Sequence, residues 1–466
     1  MTPMRAPALD DARTSPLWWD GLDRSVERSP LTGDITADVV IVGAGFSGLW
    51  TAHHLSLLAP DRRIVVVERE TVGFGASGRN GGWAVGELAG PLDRYAALGG
   101  HDAAVAQWRA VMEAVAEIGD VIAAEGIECD WAHGGNIRVA RTRPQADRQA
   151  AEVDEMRELG FGSDVIRLLD ADEARRHLDA TDVRSGIFFA PCASLQPALL
   201  ARGLADAVER RGVVIHERTE ATSITDGRVE TRRGVVTAPV VVRATEAYTR
   251  DLPGARRDLL PVYSLMVATE PLDSGLIASI GLDGRPTFAD DRRIVTYGQR
   301  TADDRIAFGS QGVPYLFGSE ISPDNETDLG AHRRVHEVLV EMLPQLASVP
   351  ITHRWGGVLG IPRNWLPSVH FDASTGSGRL GGYVGEGVAA AHLAGRTMAE
   401  LIVGETTPRT RLPWVGAASR RWEPEPLRWL GVRGGRRIFA AADAVEERTD
   451  RPARVTDRVA RILRGD

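Results

Sequence analysis

The order of apolar and polar positions near the start of the chain predicts a strand, a helix and a second strand. The apolar segment "DVVIVG" precedes "AGFSGLWTAHHLSLL", which has the length of a helix, and "IVVVE" then ends at Glu68. Strands that are apolar at nearly every position are typical of parallel sheets covered on both faces. We therefore predict a βαβ unit over residues 38–68.

Similar patterns recur later in the chain, with a different pattern between them. Residues 228–245 predict a hairpin and then a buried strand, and residues 381–404 predict a strand, a glycine turn and a helix. Short alternating segments such as "YSLMVATEPL" fill residues 260–319, and they favour an antiparallel sheet. Helical patterns occupy 101–127, 143–178, the first part of 197–224 and about 328–343.

This order predicts an α/β protein, α+β overall, in which a discontinuous Rossmann-like nucleotide-binding domain holds an inserted substrate domain built on an antiparallel sheet. A length of 466 residues is ample for two domains. The predicted segments are a lead-in over 1–36, a nucleotide-binding domain over 37–95, 192–258 and 352–412, a substrate-binding domain over 96–191 and 259–351, and a C-terminal helical extension over 413–466.

Composition narrows the function. The net charge of −9 disfavours a nucleic-acid partner, and no stretch is long and apolar enough for a membrane span or a signal peptide, so we expect a cytoplasmic protein. The two cysteines, Cys129 and Cys192, are too few for a disulfide framework, and we expect no metal site. All 55 basic side chains are Arg, which excludes any mechanism that needs a lysine.

The turn "GAGFSG" has the G-x-G-x-x-G spacing of a dinucleotide-binding site, with Gly43, Gly45 and Gly48 between the first strand and the helix. These glycines permit the tight turn, the approach of a pyrophosphate and close packing of helix on strand. Glu68 ends the second strand, where a carboxylate can bind ribose hydroxyls and disfavours a 2′-phosphate. The motif predicts dinucleotide binding but not which dinucleotide.

A second glycine-rich loop, "VGFGASGRNGGW", follows directly after Glu68. A loop at this place indicates a ligand longer than the usual dinucleotide footprint, and FAD is such a ligand. A third element, "GYVGEGVAAAHLAG", begins a helix whose apolar face includes Val388 and Met398. The N-terminus of that helix would stabilise negative charge on a reduced flavin.

Five motifs in this order resemble the FAD-dependent amine and amino-acid oxidoreductases of the D-amino-acid oxidase and glycine oxidase superfamily. They are "DVVIVGAGFSGLWTAHHL", "ERETVGFGASGRNGGW", "SLQPALLARGLADAVERRGVVIHERT", "VVVRATEAYT" and "RWGGVLGIPRNWLPSVH" followed by "LGGYVGEGVAAAHLAGRTMAELI". The sequence is most similar to the γ-glutamylputrescine oxidase-like branch, over residues 31–404.

The resemblance implies an FAD domain, a substrate domain and a reaction in which a C–H bond next to nitrogen loses hydride to flavin N5, so that the imine hydrolyses to a carbonyl product. The expected substrate is a small amine or amino acid, and O₂ is the expected acceptor. Together, motifs and resemblance predict these cofactor-binding residues: Gly43, Gly45, Phe46, Ser47, Gly48, Glu68, Arg69, Gly75, Ala76, Ser77, Arg79, Asn80, Gly81, Gly82, Ala221, Ala244, Thr245, Gly357, Gly385, Glu386, Gly387 and Val388.

The sequence also departs from the family pattern. Relatives that bind flavin covalently carry histidine near the position of Arg79 or cysteine near Trp355, so we expect non-covalent FAD. Glu386 and Glu246 occupy positions where relatives carry other residues. Some relatives use a lysine to promote reaction with O₂, and its absence leaves a dehydrogenase with another acceptor open.

Four residues are candidates for contact with the substrate. Glu386 lies at the start of the last helix, Arg354 can pair with a carboxylate, Trp355 follows it in "HRWGG", and Tyr263 lies in "LPVYSLM". Each also has a structural interpretation as a core residue or a polar pair. A nicotinamide-dependent dehydrogenase, an FAD-dependent monooxygenase and another flavoprotein of biosynthesis remain alternatives, and the particular amine and the oligomeric state stay open.

Overall fold

The computed structural model describes residues 9–22, 28–311 and 315–453. Its strands are, in chain order, β1 Ile35–Thr36, β2 Val39–Val42, β3 Ile64–Val67, β4 Trp83–Val85, β5 Asn136–Ala140, β6 Ile166–Asp170, β7 Ser185–Phe189, β8 Cys192–Ser194, β9 Val214–His216, β10 Ala221–Thr225, β11 Arg228–Thr231, β12 Gly234–Thr237, β13 Val240–Arg243, β14 Leu259–Thr269, β15 Thr287–Asp290, β16 Thr296–Arg300, β17 Ile306–Gln311, β18 Ile351–Pro362, β19 Ser368–Asp372 and β20 Ser377–Gly381.

The helices lie between or after these strands along the chain. They are α1 Phe46–Leu58, α2 Leu92–Gly99, α3 His101–Glu125, α4 Arg143–Glu158, α5 Ala171–His177, α6 Pro197–Arg210, α7 Ser274–Ile280, α8 Pro323–Glu326, α9 Leu329–Met342, α10 Gly387–Val403 and α11 Leu427–Thr449.

One sheet carries the predicted βαβ unit at its centre. Its strand order is β19-β20-β13-β2-β3-β9, and all neighbours pair in parallel except β19, which runs antiparallel to β20. Every residue of β2 and β3 is buried, because α1, α6 and α10 pack on one side and the small sheet β1-β12-β11-β10 packs on the other. The strands β2, β3, β9, β13 and β20 therefore form a doubly covered parallel sheet, as the apolar runs predicted.

A second sheet has the order β18-β14-β17-β16-β15-β5-β7-β6. It is antiparallel apart from the β15–β5 pair, and α9 packs on it through Val335 and Leu339. Asp328 begins α9 because its carboxylate accepts the Ala331 N–H at 2.6 Å. The predicted α/β fold with a separate, mainly antiparallel sheet is confirmed.

Local details differ from the sequence patterns. Residues 143–178, which predict helix throughout, contain strand β6 between α4 and α5. The predicted domain boundary at residue 352 falls inside β18, which pairs with β14 along most of its length. The chain therefore passes from the second sheet to the sheet that contains β2 and β3 after Pro362. The division of the chain into domains stays a prediction.

The C-terminal extension includes α11, which packs on the chain's own second sheet. The carboxylate of Asp443 accepts the backbone N–H groups of Arg293 and Ile294, both at 2.9 Å. Glu446 pairs with Arg293 at 2.8 Å and with Arg148 at 3.0 Å. The remainder of the predicted extension, residues 454–466, lies outside the described residues.

Candidate cofactor and substrate site

The turn between β2 and α1 has the geometry that its glycines predict. Gly43 has φ +109°, and a Cβ there would lie 2.5 Å from the Ala244 carbonyl oxygen. A Cβ on Gly48 would overlap the Gly43 carbonyl oxygen, so α1 packs directly on the turn. The Phe46 N–H donates to Ser77 Oγ at 2.8 Å, which joins the start of α1 to the second glycine-rich loop. The turn thus brings the N-terminus of α1 to the cavity, because Gly45, Phe46 and Ser47 line it.

Glu68 follows β3, and its carboxylate is held by backbone groups. Oε2 accepts the Ala44 N–H at 2.8 Å and Oε1 accepts the Glu70 N–H at 2.9 Å. Burial raises the pKa of Glu68, although these hydrogen bonds act in the opposite direction. The neighbouring Arg69 guanidinium lies 4.4 Å from the centre of the Tyr248 ring. The acid is therefore fixed in orientation at the end of the strand.

The turn, Glu68 and the second loop open onto one cavity of about 380 Å³. Segments that are distant in sequence, including Val358, Leu359 and Tyr383, complete its wall. The predicted cofactor-binding residues that line it are Gly43, Gly45, Phe46, Ser47, Glu68, Arg69, Gly75, Ala76, Ser77, Asn80, Ala221, Ala244, Thr245, Gly385, Gly387 and Val388.

The other predicted cofactor-binding residues do not line this cavity. Arg79 is buried, and its guanidinium donates to Glu326 at 2.5 Å and to the Gly356 carbonyl oxygen at 3.1 Å. The same guanidinium lies 4.7 Å from the ring centres of Trp19 and Phe74. These contacts direct the Arg79 side chain towards the second sheet. The predicted cofactor-binding residues that do not line the cavity are Gly48, Arg79, Gly81, Gly82, Gly357 and Glu386.

Gly81 and Gly82 let the second glycine-rich loop press against the second sheet. A Cβ on Gly81 would lie 2.6 Å from the Tyr297 ring. Gln299, on the same strand, donates from Nε2 to the Gly81 carbonyl oxygen at 2.6 Å and to that of Leu195 at 3.1 Å. The loop therefore joins the two sheets, which explains why it tolerates so little side-chain volume.

The loop before α10 closes the cavity opposite the first turn. Tyr383 Oη and Ser47 Oγ are hydrogen-bonded at 2.7 Å, so this loop is tied to the start of α1. Val384 and Gly385 have φ of +59° and +113°. This sharp bend brings the N-terminus of α10 to the cavity, and Gly387 and Val388 line it.

Glu386 begins α10, and its carboxyl lies in an acidic neighbourhood. Burial raises its pKa to about 8, and the negative charge of Glu87 adds to that shift. Glu87 follows β4, and burial raises its pKa as well, although the Arg138 guanidinium, 3.9 Å away, opposes this. Burial thus weakens the acidity of both carboxyl groups, and Glu386 directly precedes Gly387, which lines the cavity.

The other three candidate catalytic residues have structural contacts. Trp355 is 1% exposed and donates from Nε1 to the Arg79 carbonyl oxygen at 2.9 Å. The Tyr263 hydroxyl accepts the Ser322 N–H at 2.8 Å, and Arg354 donates to the Thr327 carbonyl oxygen at 2.5 Å. Their contact with a substrate stays a prediction, and none of them lines the cavity described above.

Several residues of the wall had no individual signal in the sequence. Only the fold brings these residues to the cavity: Tyr248 from a 3-10 helix, Val358 and Leu359 from β18, and Tyr383 from the loop before α10. Glu246 is different, because its departure from the family pattern singled it out in the sequence. The sequence did not indicate its role. Glu87 follows a three-residue strand that forms by pairing with β8.

The site fits FAD by its own construction. The turn has no room for a Cβ at Gly43 or Gly48, and the N-terminus of α1 lines the cavity, where its dipole would favour a pyrophosphate. Glu68 and Ala221 line one part of the cavity, and Gly385 and Gly387 line another. Among the described residues, no cluster of His, Cys, Asp and Glu could hold a metal ion, and no helix has the length and apolarity to cross a membrane.

Comparison with known proteins agrees with this geometry. The family model described as DAO, FAD dependent oxidoreductase, matches residues 38–401. The chain therefore belongs to the DAO family of FAD-dependent oxidoreductases, and FAD is its cofactor. This family membership confirms the predicted enzyme class.

Two curated relatives place the chain within that family. It is 32% identical over 382 residues to the gamma-glutamylputrescine oxidoreductase of Escherichia coli, covering 80% of this chain and 85% of the relative. It is 31% identical over 404 residues to the probable oxidoreductase OrdL of Haemophilus influenzae, covering 83% and 88%. The predicted resemblance to the γ-glutamylputrescine oxidase-like branch is thus confirmed.

Solved structures share the fold. Glycine oxidase from Geobacillus kaustophilus has a TM-score of 0.66 at 19% identity, with 80% of this chain and 96% of that one covered. L-proline dehydrogenase from P. horikoshii has a TM-score of 0.66 at 18% identity, with 83% and 98% covered. These similarities support the two-sheet architecture.

Proposed function

We propose that the protein oxidises a C–N bond of a small amine or amino acid, giving an imine that hydrolyses to a carbonyl product, with O₂ as the electron acceptor. The observation that carries this proposal is the cofactor cavity itself, in which the Gly43 turn and Glu68 form one part and the loop before α10 forms the other. Bound FAD supplies the hydride acceptor. The relative named gamma-glutamylputrescine oxidoreductase supports an amine as the substrate.

The chain's own residues prepare the amine. Hydride loss from the carbon next to nitrogen requires a neutral amine, so an ammonium must first give up a proton. The Glu386 carboxyl, whose pKa is raised to about 8, can accept that proton when it is ionised. The negative charge of Glu87 favours a cation beside Glu386, because a bound ammonium relieves repulsion between the two carboxylates.

This charge distribution favours substrates with a cationic nitrogen, such as amines and polyamine conjugates, over substrates whose only charge is negative. Asp291 and Glu152 reinforce the preference, since each raises the pKa of Glu87. Arg138 neutralises part of this charge through its ion pairs with Glu152 and Asp291. Arg354, Trp355 and Tyr263 contribute to the architecture around the second glycine-rich loop and α8 rather than to this charge.

An anaerobic titration with a panel of amines, amino acids and polyamine conjugates tests the proposal. We expect the flavin absorbance of the holoenzyme to bleach with a cationic amine, and a carbonyl product to appear after one turnover. Bleaching by NADPH in the absence of any amine, with no bleaching across the panel, would overturn it in favour of a monooxygenase.

A dehydrogenase with another electron acceptor is the second candidate, and one arrangement favours it. A fixed positive charge near flavin promotes electron transfer to O₂, and the sequence has no lysine. Arg79 is the cation of the second glycine-rich loop, but its charge is paired with Glu326 at 2.5 Å. Stopped-flow mixing of the reduced holoenzyme with air decides between the two: rapid reoxidation supports the oxidase, and slow reoxidation that a quinone accelerates supports the dehydrogenase.

We further propose that FAD is bound without a covalent link in a cytoplasmic enzyme. Cys129 and Cys192 are free and buried, and neither lines the cavity, while Arg79 lies where histidine-linked relatives carry the histidine. Burial also raises the pKa of both thiols, which makes them poor nucleophiles. Acid precipitation should release all the yellow colour, and colour retained on the protein would contradict the proposal.

A further inference from the structure

Glu246 has a backbone conformation that is unfavourable for its side chain. It follows β13, an inner strand of the parallel sheet, and has φ +43°, in the left-handed region. A residue with a Cβ keeps such a conformation when its surroundings hold it there. The contacts of the Glu246 carboxylate show what holds it.

The carboxylate connects two segments that belong to different sheets. Oε2 accepts the N–H of Gly360 in β18 at 2.6 Å, and Oε1 accepts the N–H of Gly382 in the loop before α10 at 3.3 Å. A Cβ on Gly360 would lie 2.9 Å from Oε2, so the approach is close. Glu246 also lines the cofactor cavity together with Val358 and Tyr383.

We propose that Glu246 is a positioning residue that sets the reduction potential of the bound flavin: its carboxylate fixes β18 and the loop before α10 against the cavity and opposes the negative charge of reduced flavin. The N-terminus of α10 acts in the opposite direction, since its dipole favours that negative charge. The inference depends on FAD as the cofactor, and it does not depend on the identity of the substrate.

The surroundings of Glu246 support a change of charge near neutral pH. Glu246 lines the cavity, and burial raises its pKa to about 7 against the effect of the backbone N–H groups. The groups that face it from β18 and the Gly382 loop are those N–H groups, and Leu259 of β14 packs beside Gly360. Tyr383 is the titratable side chain whose pKa Glu246 raises, after burial as the main cause.

The sign of the pH dependence follows from this charge. Below about pH 7 Glu246 is protonated and does not oppose reduction, whereas above it the ionised carboxylate does. Reduction of flavin raises the pKa of Glu246 further, because two negative charges repel. The flavin potential of the holoenzyme should therefore fall more steeply with pH above about 7 than it does without the carboxylate.

The test is the flavin midpoint potential of the holoenzyme, measured from about pH 5.5 to 9 against reference dyes, for the wild type and Glu246→Gln. Glutamine keeps a hydrogen-bond acceptor and removes the charge. At pH 8.5 we expect the ratio of reduced to oxidised flavin at a fixed dye potential to rise about tenfold, and the additional slope above pH 7 to disappear. An unchanged potential and slope would overturn the proposal, whatever happens to thermal stability.

Glu217→Gln is the matched control. Glu217 is also a buried carboxylate of the parallel-sheet region that accepts a backbone N–H, from Val72 at 2.9 Å, but it does not line the cavity. Its replacement should leave the potential unchanged, and a shift equal to that of Glu246→Gln would contradict the proposal. If Glu246→Gln does not fold, Glu246→Gly, which suits the left-handed backbone, must show the same rise in potential.

Discussion

The part of the cavity around Glu68 and the part around α10 are built in different ways. The first is formed largely by one continuous stretch, from the end of β2 to Asn80, with backbone N–H groups and glycines at its surface. The second is assembled from Glu246, Val358 and the loop before α10, which are more than a hundred residues apart at the extremes. The first part is suited to hold a cofactor, and the second to adjust its chemistry.

The two parts also differ in electrostatics. In the first, Glu68 is held by two backbone N–H groups, and the N-terminus of α1 lines the cavity. In the second, burial raises the pKa of Glu246 to about 7 and that of Glu386 to about 8, so both change charge in the range where enzymes work. Binding should therefore depend weakly on pH, and turnover strongly.

The largest expected effect comes from adding one methyl group at Gly43, in the part of the cavity around Glu68. Gly43→Ala places a Cβ 2.5 Å from the Ala244 carbonyl oxygen at φ +109°, where the strain and the clash together cost about 3 kcal/mol. We expect FAD affinity to fall by about 100-fold, measured by flavin fluorescence during dialysis. Gly33→Ala, where nothing lies within 4 Å, should retain FAD, and equal loss in both variants would contradict the account.

The next effect separates chemistry from binding in the second part. Glu386→Gln should lower kcat/KM for an amine by about 100-fold, at the low end of the usual range for loss of a general base, while the FAD content stays at the wild-type level. Steady-state kinetics and absorbance of the purified enzyme measure both. Glu405→Gln, on the exposed residue after α10, is the control. Flavin reduction at the wild-type rate in Glu386→Gln would refute the proposed role.

A third prediction concerns the contact between α1 and α10, the helices that begin at the two parts. His54 Nε2 and His392 Nε2 lie 3.3 Å apart beside Trp50. Burial lowers the pKa of both, that of His392 to about 3, and nearby positive charges add to the effect. A histidine with a lowered folded-state pKa makes stability fall as the pH drops below its unfolded value of about 6.5.

We therefore expect the holoenzyme to lose about 2 kcal/mol of stability between about pH 6.5 and 4 through this contact. Thermal unfolding across that range should show a shallower loss for His392→Gln than for the wild type. His133→Gln, at an exposed loop position, should keep the wild-type slope. A slope that His392→Gln leaves unchanged would place the acid sensitivity elsewhere in the molecule.

The smallest effect has the opposite sign. A carboxyl with a raised folded-state pKa makes stability fall as pH rises from its unfolded value of about 4.5 to about 8, and burial raises the pKa of Glu386 in this way. Glu386→Gln should therefore gain about 1 kcal/mol relative to the wild type at pH 9 compared with pH 5, measured by denaturant unfolding. An equal difference at both pH values would mean that Glu386 does not titrate in this range.

The comparison also explains how far the sequence could be interpreted. The turn at Gly43 and the acid at Glu68 were predictable because their chemistry depends on neighbours in the chain. The strand order of the second sheet was not predictable, since β5, β6 and β7 belong to it although later strands of the chain return to the parallel sheet. Strand β6 was hidden within a charged stretch because two of its five residues are buried, too few to break the helical pattern.

Individual side chains show the same limit. The sequence placed Arg79 between glycines, but its direction depends on Glu326 and on the stacking of Trp19, which lie far away in the chain. Glu87 carries no motif, and the short strand before it forms by pairing with β8. Local motifs therefore predict the cofactor, whereas tertiary packing decides which groups meet the substrate.

The central claim is that an amine reduces the flavin of this enzyme, and anaerobic stopped-flow reduction tests it most directly. A cationic amine should bleach the flavin in a saturable phase that slows when the carbon next to nitrogen carries deuterium. The same amine should bleach Glu386→Gln more slowly at the same FAD content. Flavin that stays oxidised with every amine of the panel, or bleaching without an isotope effect at the carbon next to nitrogen, would contradict the account.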